Sequence, residues 1–312
     1  MNTSVSTHII TRKGLATASM MLLASLCVCA QTKEENQPDG IRLAQTDVAT
    51  QATSPMAAPT PLTKEHLHST MIGVGASDVL DSYLSPYNYT GTDIRLQRET
   101  MRMTRLIHGR VANQSLIDIN AAINNNHAGN IDEYAGGVRY TQGWHYLVHG
   151  YNIVNPLHHS TSSWNVAVGL AASGYLGCVY IDRSGNNPAQ AKADITIDAS
   201  AMATYTMRLF HRQWLWRYQV TAPVLGAAFS PRYGQSYYEA FALGHYDRNV
   251  VLATPFNMPS MRHRLTIDIP LKRAALRIGY VAQFNQSTFH SLKYHSYSHD
   301  FMIGFNKYFY SR

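Results

Sequence analysis

The stretch QAKADITIDASAMATYTMRLF, residues 190–210, decides how the rest of the chain is read. Its odd positions from Ala191 to Leu209 (Ala191, Ala193, Ile195, Ile197, Ala199, Ala201, Ala203, Tyr205, Met207, Leu209) are all apolar. Between them lie Lys192, Asp194, Thr196, Asp198, Ser200, Met202, Thr204, Thr206 and Arg208. At 45% apolar content, ten such positions in a row arise by chance roughly 3 times in 10,000, before allowing for the windows searched. Period 2 puts alternate side chains on opposite faces of an extended strand, so this segment is a long strand with one apolar face.

The same alternation recurs outward from it. Ile117, Ile119, Ala121 and Ile123 oppose Asp118, Asn120 and Asn124; Trp164, Val166, Val168 and Leu170 oppose Asn165, Ala167, Gly169 and Ala171. Trp214, Trp216 and Tyr218 oppose Arg217 and Gln219, and the closing FMIGFNKYFY sets Phe301, Ile303 and Phe305 against Asp300, Gly304 and Asn306. Counting segments gives strands near 70–78, 89–104, 114–124, 133–148, 163–180, 190–209, 213–226, 261–271, 274–286 and 294–309. That is ten, or twelve if the stretch around NVVLAT forms a further hairpin.

Composition agrees with an all-β chain. Of 312 residues only 14% are charged, while Tyr alone supplies 20 and Phe and Trp another 13. No run of about 18 apolar residues occurs, which excludes a helical membrane span and leaves a membrane barrel open. Residues 1–30 read as a secretory signal peptide: Arg12 and Lys13, then LATASMMLLASLCVCA, then polar QTKEENQ. Residues 31–68, rich in Thr, Ala, Gln and Pro, read as a flexible linker, and 69–312 as one β-domain. Removing the leader takes two of 26 basic residues, leaving 24 against 19 acidic, a net charge of +5. Only Cys178 then remains, so no internal disulfide forms. The basic residues form no clustered stripe, which argues against nucleic acid as a partner.

Period 2 does not say where the apolar face points. A soluble sandwich turns it inward and a membrane barrel turns it to lipid. Trp and Tyr near the ends of the apolar stripes suit aromatic girdles, and the small polar face Asn165–Ser173 suits a narrow lumen. FHRQ (210–213) and the break at Lys272–Arg273 suit tight turns, whereas 230–259 makes one long excursion. The expectation is an all-β, antiparallel up-and-down transmembrane β-barrel of the outer membrane. Its partners are membrane lipid and the barrel-assembly machinery that inserts it, its termini are periplasmic, and the long loop lies outside.

Several blocks carry a family resemblance: TMIGVGASDVLDSYLSPYNYTGT (70–92), RETMRMT (98–104), NNPAQAKA (186–193), SPRYGQSYYE (230–239) and HSYSHDFMIGFNKY (295–308). Together they resemble an uncharacterised family of exported proteins of Gram-negative gut bacteria, a domain of unknown function similar in character to small outer-membrane barrels. The resemblance covers residues 70–312 and implies no catalytic residues.

If lipid meets the apolar faces, the polar faces fill the lumen with Glu133, Arg139, His145, Lys192, Asp194 and Asp198. Farther along they add Arg208, Arg217, Arg262, Arg264, Asp268, Arg277 and Asp300. Apart from the histidine these are seven basic and five acidic groups, a mixture suited to ion pairing across a narrow lumen. This favours a non-enzymatic barrel with a structural, surface-interacting or small-solute role. An outer-membrane hydrolase acting on lipid or peptide is the first alternative, with His245 and Asp247, two residues apart, as its candidates. A soluble periplasmic β-protein binding an apolar ligand is the second. In SPRYGQSYYE, Tyr233, Gln235, Tyr237, Tyr238 and Glu239 are loop or ligand-contact candidates, and Ser236 with Glu239 offers a hydroxyl near a carboxylate. The histidine pairs lack a third ligand at a recognisable interval and no glycine loop fits a phosphate, so no metal or other cofactor is expected.

Overall fold

The computed structural model describes residues 65–155, 160–182, 188–210, 212–245, 248–271 and 274–310. Ten long antiparallel strands and one short strand make up the sheet. They are β1 (Glu65–Asp81), β2 (Tyr89–Met103), β3 (Val111–Asn126), β4 (Asp132–Asn155), β5 (Ser160–Ile181) and β6 (Ala189–Leu209). After these come β7 (Arg212–Phe229), the short β8 (Val250–Ala253), β9 (Met261–Pro270), β10 (Ala275–Phe289) and β11 (Leu292–Tyr310). Each strand pairs with its neighbour in sequence, β7 pairs with β9, and β1 pairs with β11, so the sheet closes into a ten-stranded barrel. The stretch around NVVLAT forms no hairpin. β8 has four residues, too few to cross a bilayer, and pairs with the end of β7.

The stagger of the closed sheet follows from its register. From Gly73 on β1, pairing through β2 to β5 passes Arg95, Asn120, Gly137 and Gly177 and reaches β6 at Lys192. The opposite circuit passes Met302, Gly279, Thr266 and Arg217 and reaches β6 at Thr204. The two arrivals differ by 204 − 192 = 12 residues. Ten strands with that stagger tilt at about 40° and enclose a cylinder of about 10 Å radius, a lumen that long side chains can fill.

The apolar face points outward. On β6 Ile195 is 73% exposed while Asp198 is fully buried, and the same inversion runs round the barrel. A soluble barrel would turn these side chains in; here polar residues fill the interior, and Met71, Val281 and Met302 make one small apolar cluster among them. Two aromatic belts flank the outer band. Tyr134 pairs with Tyr180 near one rim, and Trp164 pairs with Tyr205, itself paired with Trp216, near the other. On β4, Tyr134 and Trp144 stand ten residues apart, about 33 Å along the strand and about 25 Å across the tilted wall, the height of a barrel's apolar band.

Glu65 and Tyr310 pair at one rim, the terminal rim. The opposite rim, the loop rim, carries the connections 82–88, 127–131, 182–188, 230–260 and 290–291. His290 and Ser291 join β10 to β11 with φ of 50° and 65°, the doubly left-handed turn that matches hairpin twist. β7 bulges where Ile197 pairs with Leu225 and Asp198 with Pro223, placing a residue that cannot donate to the ladder at its break.

Candidate functional site

β2 is the spine of the lumen. Its inward stripe Asp93, Arg95, Gln97 and Glu99 is buried, each residue at most 4% exposed. Arg95 gathers three carboxylates: Nε donates to Asp300 at 2.8 Å, Nη1 to Asp118 at 2.8 Å, and Nη2 to Asp93 at 3.3 Å. Its remaining donors reach Gln283 and Ser298, both at 2.7 Å. Four residues along, Glu99 is the inverse. Oε1 accepts from Arg264 at 2.7 Å and Gln114 at 2.5 Å, and Oε2 from Arg277 at 2.7 Å and from Arg217. Arg277 also forks onto Asp268 at 2.5 and 2.6 Å, and Asn306 donates to Asp268 at 2.8 Å.

These bonds tie β2 to β3, β7, β9, β10 and β11 across the lumen. Three arginines against Glu99 and Asp268 leave one tier with positive excess; one arginine against three aspartates leaves the other with negative excess. Stacked on one strand face, the two tiers attract, and charge-assisted bonds offset the desolvation that makes isolated buried charges costly.

Towards the loop rim the network thins to pairs. Arg139 bonds Asp194 at 3.0 and 3.4 Å and lies 4.6 Å over the Tyr175 ring. That ring rests on the paired glycines Gly137 and Gly177, where an added Cβ would come within 2.6 Å of Tyr175 atoms. Asp198 accepts from Arg262, from Ser173 at 2.5 Å and from Thr196 at 2.7 Å. Lys192 pairs with Asp81 at 2.9 Å and sits 3.9 Å over Tyr294. A cavity of about 60 Å³ lies at this end and a second of about 40 Å³ lies deeper; Arg139 and Arg262 line both and form the partition.

Of the side chains expected in the lumen, Glu133 accepts from Asn124 at 3.0 Å, and His145 Nε2 lies 3.0 Å from Ser200 Oγ. That Ser–His pair is buried, lines neither cavity and has no partner on His145 Nδ1, so it lacks the orienting group and the access that a nucleophile needs. Arg208 is exposed at the end of β6 near the terminal rim, apart from the network, because the strand has left the lumen there. Asp93, Arg95, Glu99 and Asp118 were not among the expected set, although Asp118 stood on a recognised polar face. β2 hides its pattern because Arg98 and Arg102 interrupt its outer face. The available signal was the unbroken run of polar groups at 93, 95, 97 and 99.

The long loop is ordered by its own side chains. Ser236 and Glu239 form a capping box: Ser236 N–H donates to the Glu239 carboxylate at 2.9 Å, and Glu239 N–H to Ser236 Oγ at 3.1 Å. The hydroxyl near a carboxylate is therefore a cap for the π-helical turn Tyr238–Ala242. Gln235 donates to His245 O at 2.6 Å and accepts from Asn249 at 2.8 Å. Tyr237 Oη accepts from Ala191 N–H at 2.7 Å, and burial pushes its phenol up to about 12. Tyr83 donates to Gln235 O at 2.7 Å and meets Tyr237 edge-on; burial, then Asp81, raises its phenol. Met258 packs with Ala228, Ala253 and Phe289, pinning the loop to the rim. Tyr233 and Tyr238 point outward, and Glu239 is exposed. His245 is also exposed, and Asp247 lies outside the described residues.

Residues 26–312 match the family model described as "Protein of unknown function (DUF3316)". A comparison with curated proteins found no match. Among solved structures, the chain is similar to the transport unit of the autotransporter AIDA-I from Escherichia coli, at 9% identity and TM-score 0.36 over 84% of this chain and 94% of that one. It is similar to the translocator domain of the autotransporter NalP from Neisseria meningitidis, at 7% and 0.30 over 95% and 98%. An outer membrane channel from Pseudomonas putida F1 aligns at 8% and 0.32 over 80% and 97%.

Proposed function

The chain belongs to the DUF3316 family of proteins of unknown function, and we propose from the barrel itself that it is a plugged outer-membrane protein with a structural or surface-interacting role. A signal peptide at residues 1–30 would export it, the barrel-assembly machinery would insert it, and the terminal rim would face the periplasm. The long loop would then stand at the cell surface with Tyr233 and Tyr238 exposed. The observation that carries this reading is the pair of inverse clusters on β2. Glu99 held by three arginines and Arg95 held by three aspartates bind five strands to the spine and fill the middle of the lumen. A pore needs a continuous aqueous path, and a ring of mutually bonded charges withholds it.

A second reading, small-solute passage, is favoured by two cavities that share Arg139 and Arg262, the second of which reaches Gln97, Asp118 and Arg264 of the clusters. Planar-bilayer recording on refolded full-length protein separates the two. The plugged barrel gives a heat-shifted band on a denaturing gel and no steady conductance at moderate voltage. A heat-shifted protein with a persistent open level would sink the plug and make passage the leading function.

A further inference from the structure

We propose that the loop-rim cavity binds a single-chain amphiphile with a small anionic head, a fatty carboxylate, admitted through the barrel wall between β8 and β10. The wall is incomplete there. β7 pairs with β9 over Leu215–Thr221, but its last residues, Gly226–Phe229, pair with β8. β9 ends where Met261 pairs with Phe284, so residues 285–289 of β10 extend past it, and among the described residues no strand pairs with the other edge of β8. The gap is spanned by Ser260 Oγ, which bonds Gln286 N at 3.0 Å and Gln286 O at 3.2 Å, and by Thr288 N–H on Asn257 O at 2.8 Å. With His290 Nδ1 3.3 Å from Pro231 O and Met258 and Ala253 packed on Phe289, these contacts stand where the wall elsewhere has ladder bonds, which makes this seam the easiest to part.

The outer face beside the seam is apolar. Val250 is 72% exposed, Leu252 63% and Phe256 97%, as lipid-facing side chains are. Behind the seam lies the cavity of about 60 Å³, with two unlike walls. Phe229, Met258 and Phe289, with Ser260 and Gln286, line it from the seam; Arg139 and Lys192 reach it from β4 and β6, and Arg262 from β9 beside the seam. Each of those three already has a carboxylate partner, Asp194, Asp81 and Asp198 in turn, and the exposed Lys293 adds one further basic group to the lining. Arg139 is 8% exposed, and its Nε is buried without a hydrogen-bond partner. A carboxylate supplies the acceptor that Arg139 Nε lacks, and an alkyl chain suits the apolar wall. A cavity of about 150 Å³ holds benzene; one of about 60 Å³ takes the carboxylate head, so the alkyl chain lies in the seam and reaches the lipid.

This site lies above the β2 plug and does not depend on the barrel being closed, so its test is separate from conductance. Full-length protein in phosphatidylcholine nanodiscs is dialysed against radiolabelled dodecanoate, with empty discs subtracted. The expected result is saturable binding of one dodecanoate per barrel, at least tenfold tighter than dodecanol. Lys192→Gln on the charged wall and Met258→Trp on the apolar wall should each weaken it at least tenfold while the heat-shifted band persists. If Lys192→Gln fails to fold, the loop variant Met258→Trp and the dodecanol comparison on unaltered protein still decide. Equal binding of dodecanoate and dodecanol, indifference to Met258→Trp, or a folded protein with no saturable binding would each overturn the proposal.

Discussion

The two halves of the lumen use the same residue types to opposite ends. Around the β2 clusters, arginines from β7, β9 and β10 converge on Glu99, both of whose carboxylate oxygens accept from two donors, and neither Glu99 nor Arg277 borders a cavity. In the loop-rim half, Arg139–Asp194, Arg262–Asp198 and Lys192–Asp81 are single couples; one cavity lies among them, and the second reaches from Arg139 and Arg262 to Gln97, Asp118 and Arg264 at the edge of the clusters. Charge content is therefore not what fills a barrel. Connectivity is: a carboxylate bonded from three strands draws the walls together, whereas a couple leaves room beside it.

The comparison breaks most readily at Glu99. Glu99→Ala leaves three guanidiniums facing one another without their carboxylate, and stability measured by urea titration of the heat-shifted band should fall by about 3–5 kcal/mol. A loss no larger than that from a loop-rim couple would erase the distinction. Turning outward, Ile197→Arg should cost about 2–4 kcal/mol because it places a charge in lipid. Thr196→Arg, next along the strand, faces the cavity between Asp194 and Asp198 and should cost less. Equal losses at the two sites would refute the inside-out assignment of β6.

Asp194→Ala, in a couple bordered by free volume, should cost about 1–3 kcal/mol by stranding Arg139. Ser236→Ala removes one arm of the loop's capping box and should cost about 1 kcal/mol locally, read as faster proteolytic cleavage within 230–245 at unchanged barrel stability. The smallest effect concerns pH. The Tyr237 phenol, at about 12 when the loop is seated and near its ordinary value of 10 when released, holds its proton longer in the seated state. Seating is therefore at full strength below about pH 10 and weakens as pH rises from 10 to 12. Cleavage of the loop should be faster at pH 11 than at pH 8, and in Tyr237→Phe that difference should shrink.

Most strands were legible because a membrane barrel keeps one apolar face for its whole length, as on β6, where the expected 190–209 became Ala189–Leu209. Boundaries slipped where a strand leaves the bilayer and alternation is no longer enforced. β1 begins at Glu65, inside the expected linker, and β4 runs on to Asn155 past a bulge at Leu147 and His149. β2 was legible as a strand but not as the spine, since the arginines on its outer face blur the contrast that marks a lumen side. Near the loop rim, Arg139, Asp194, Asp198, Arg262 and Lys192 were legible as lumen residues, while Asp81 and the pairing among them were not. Nothing near Arg95 announces that its Nε will meet Asp300, 205 residues away.

The sequence by itself determined that this chain forms about ten strands, each with one apolar and one polar face, because period-2 alternation is a local property of extended backbone. Tertiary structure alone decided which polar side chains meet. Closure with a stagger of 12 residues sets the height at which each strand delivers its charges. That height puts three arginines on one glutamate and three aspartates on one arginine. It also leaves β7 and β9 short of a full ladder at the loop rim, where the cavity lies.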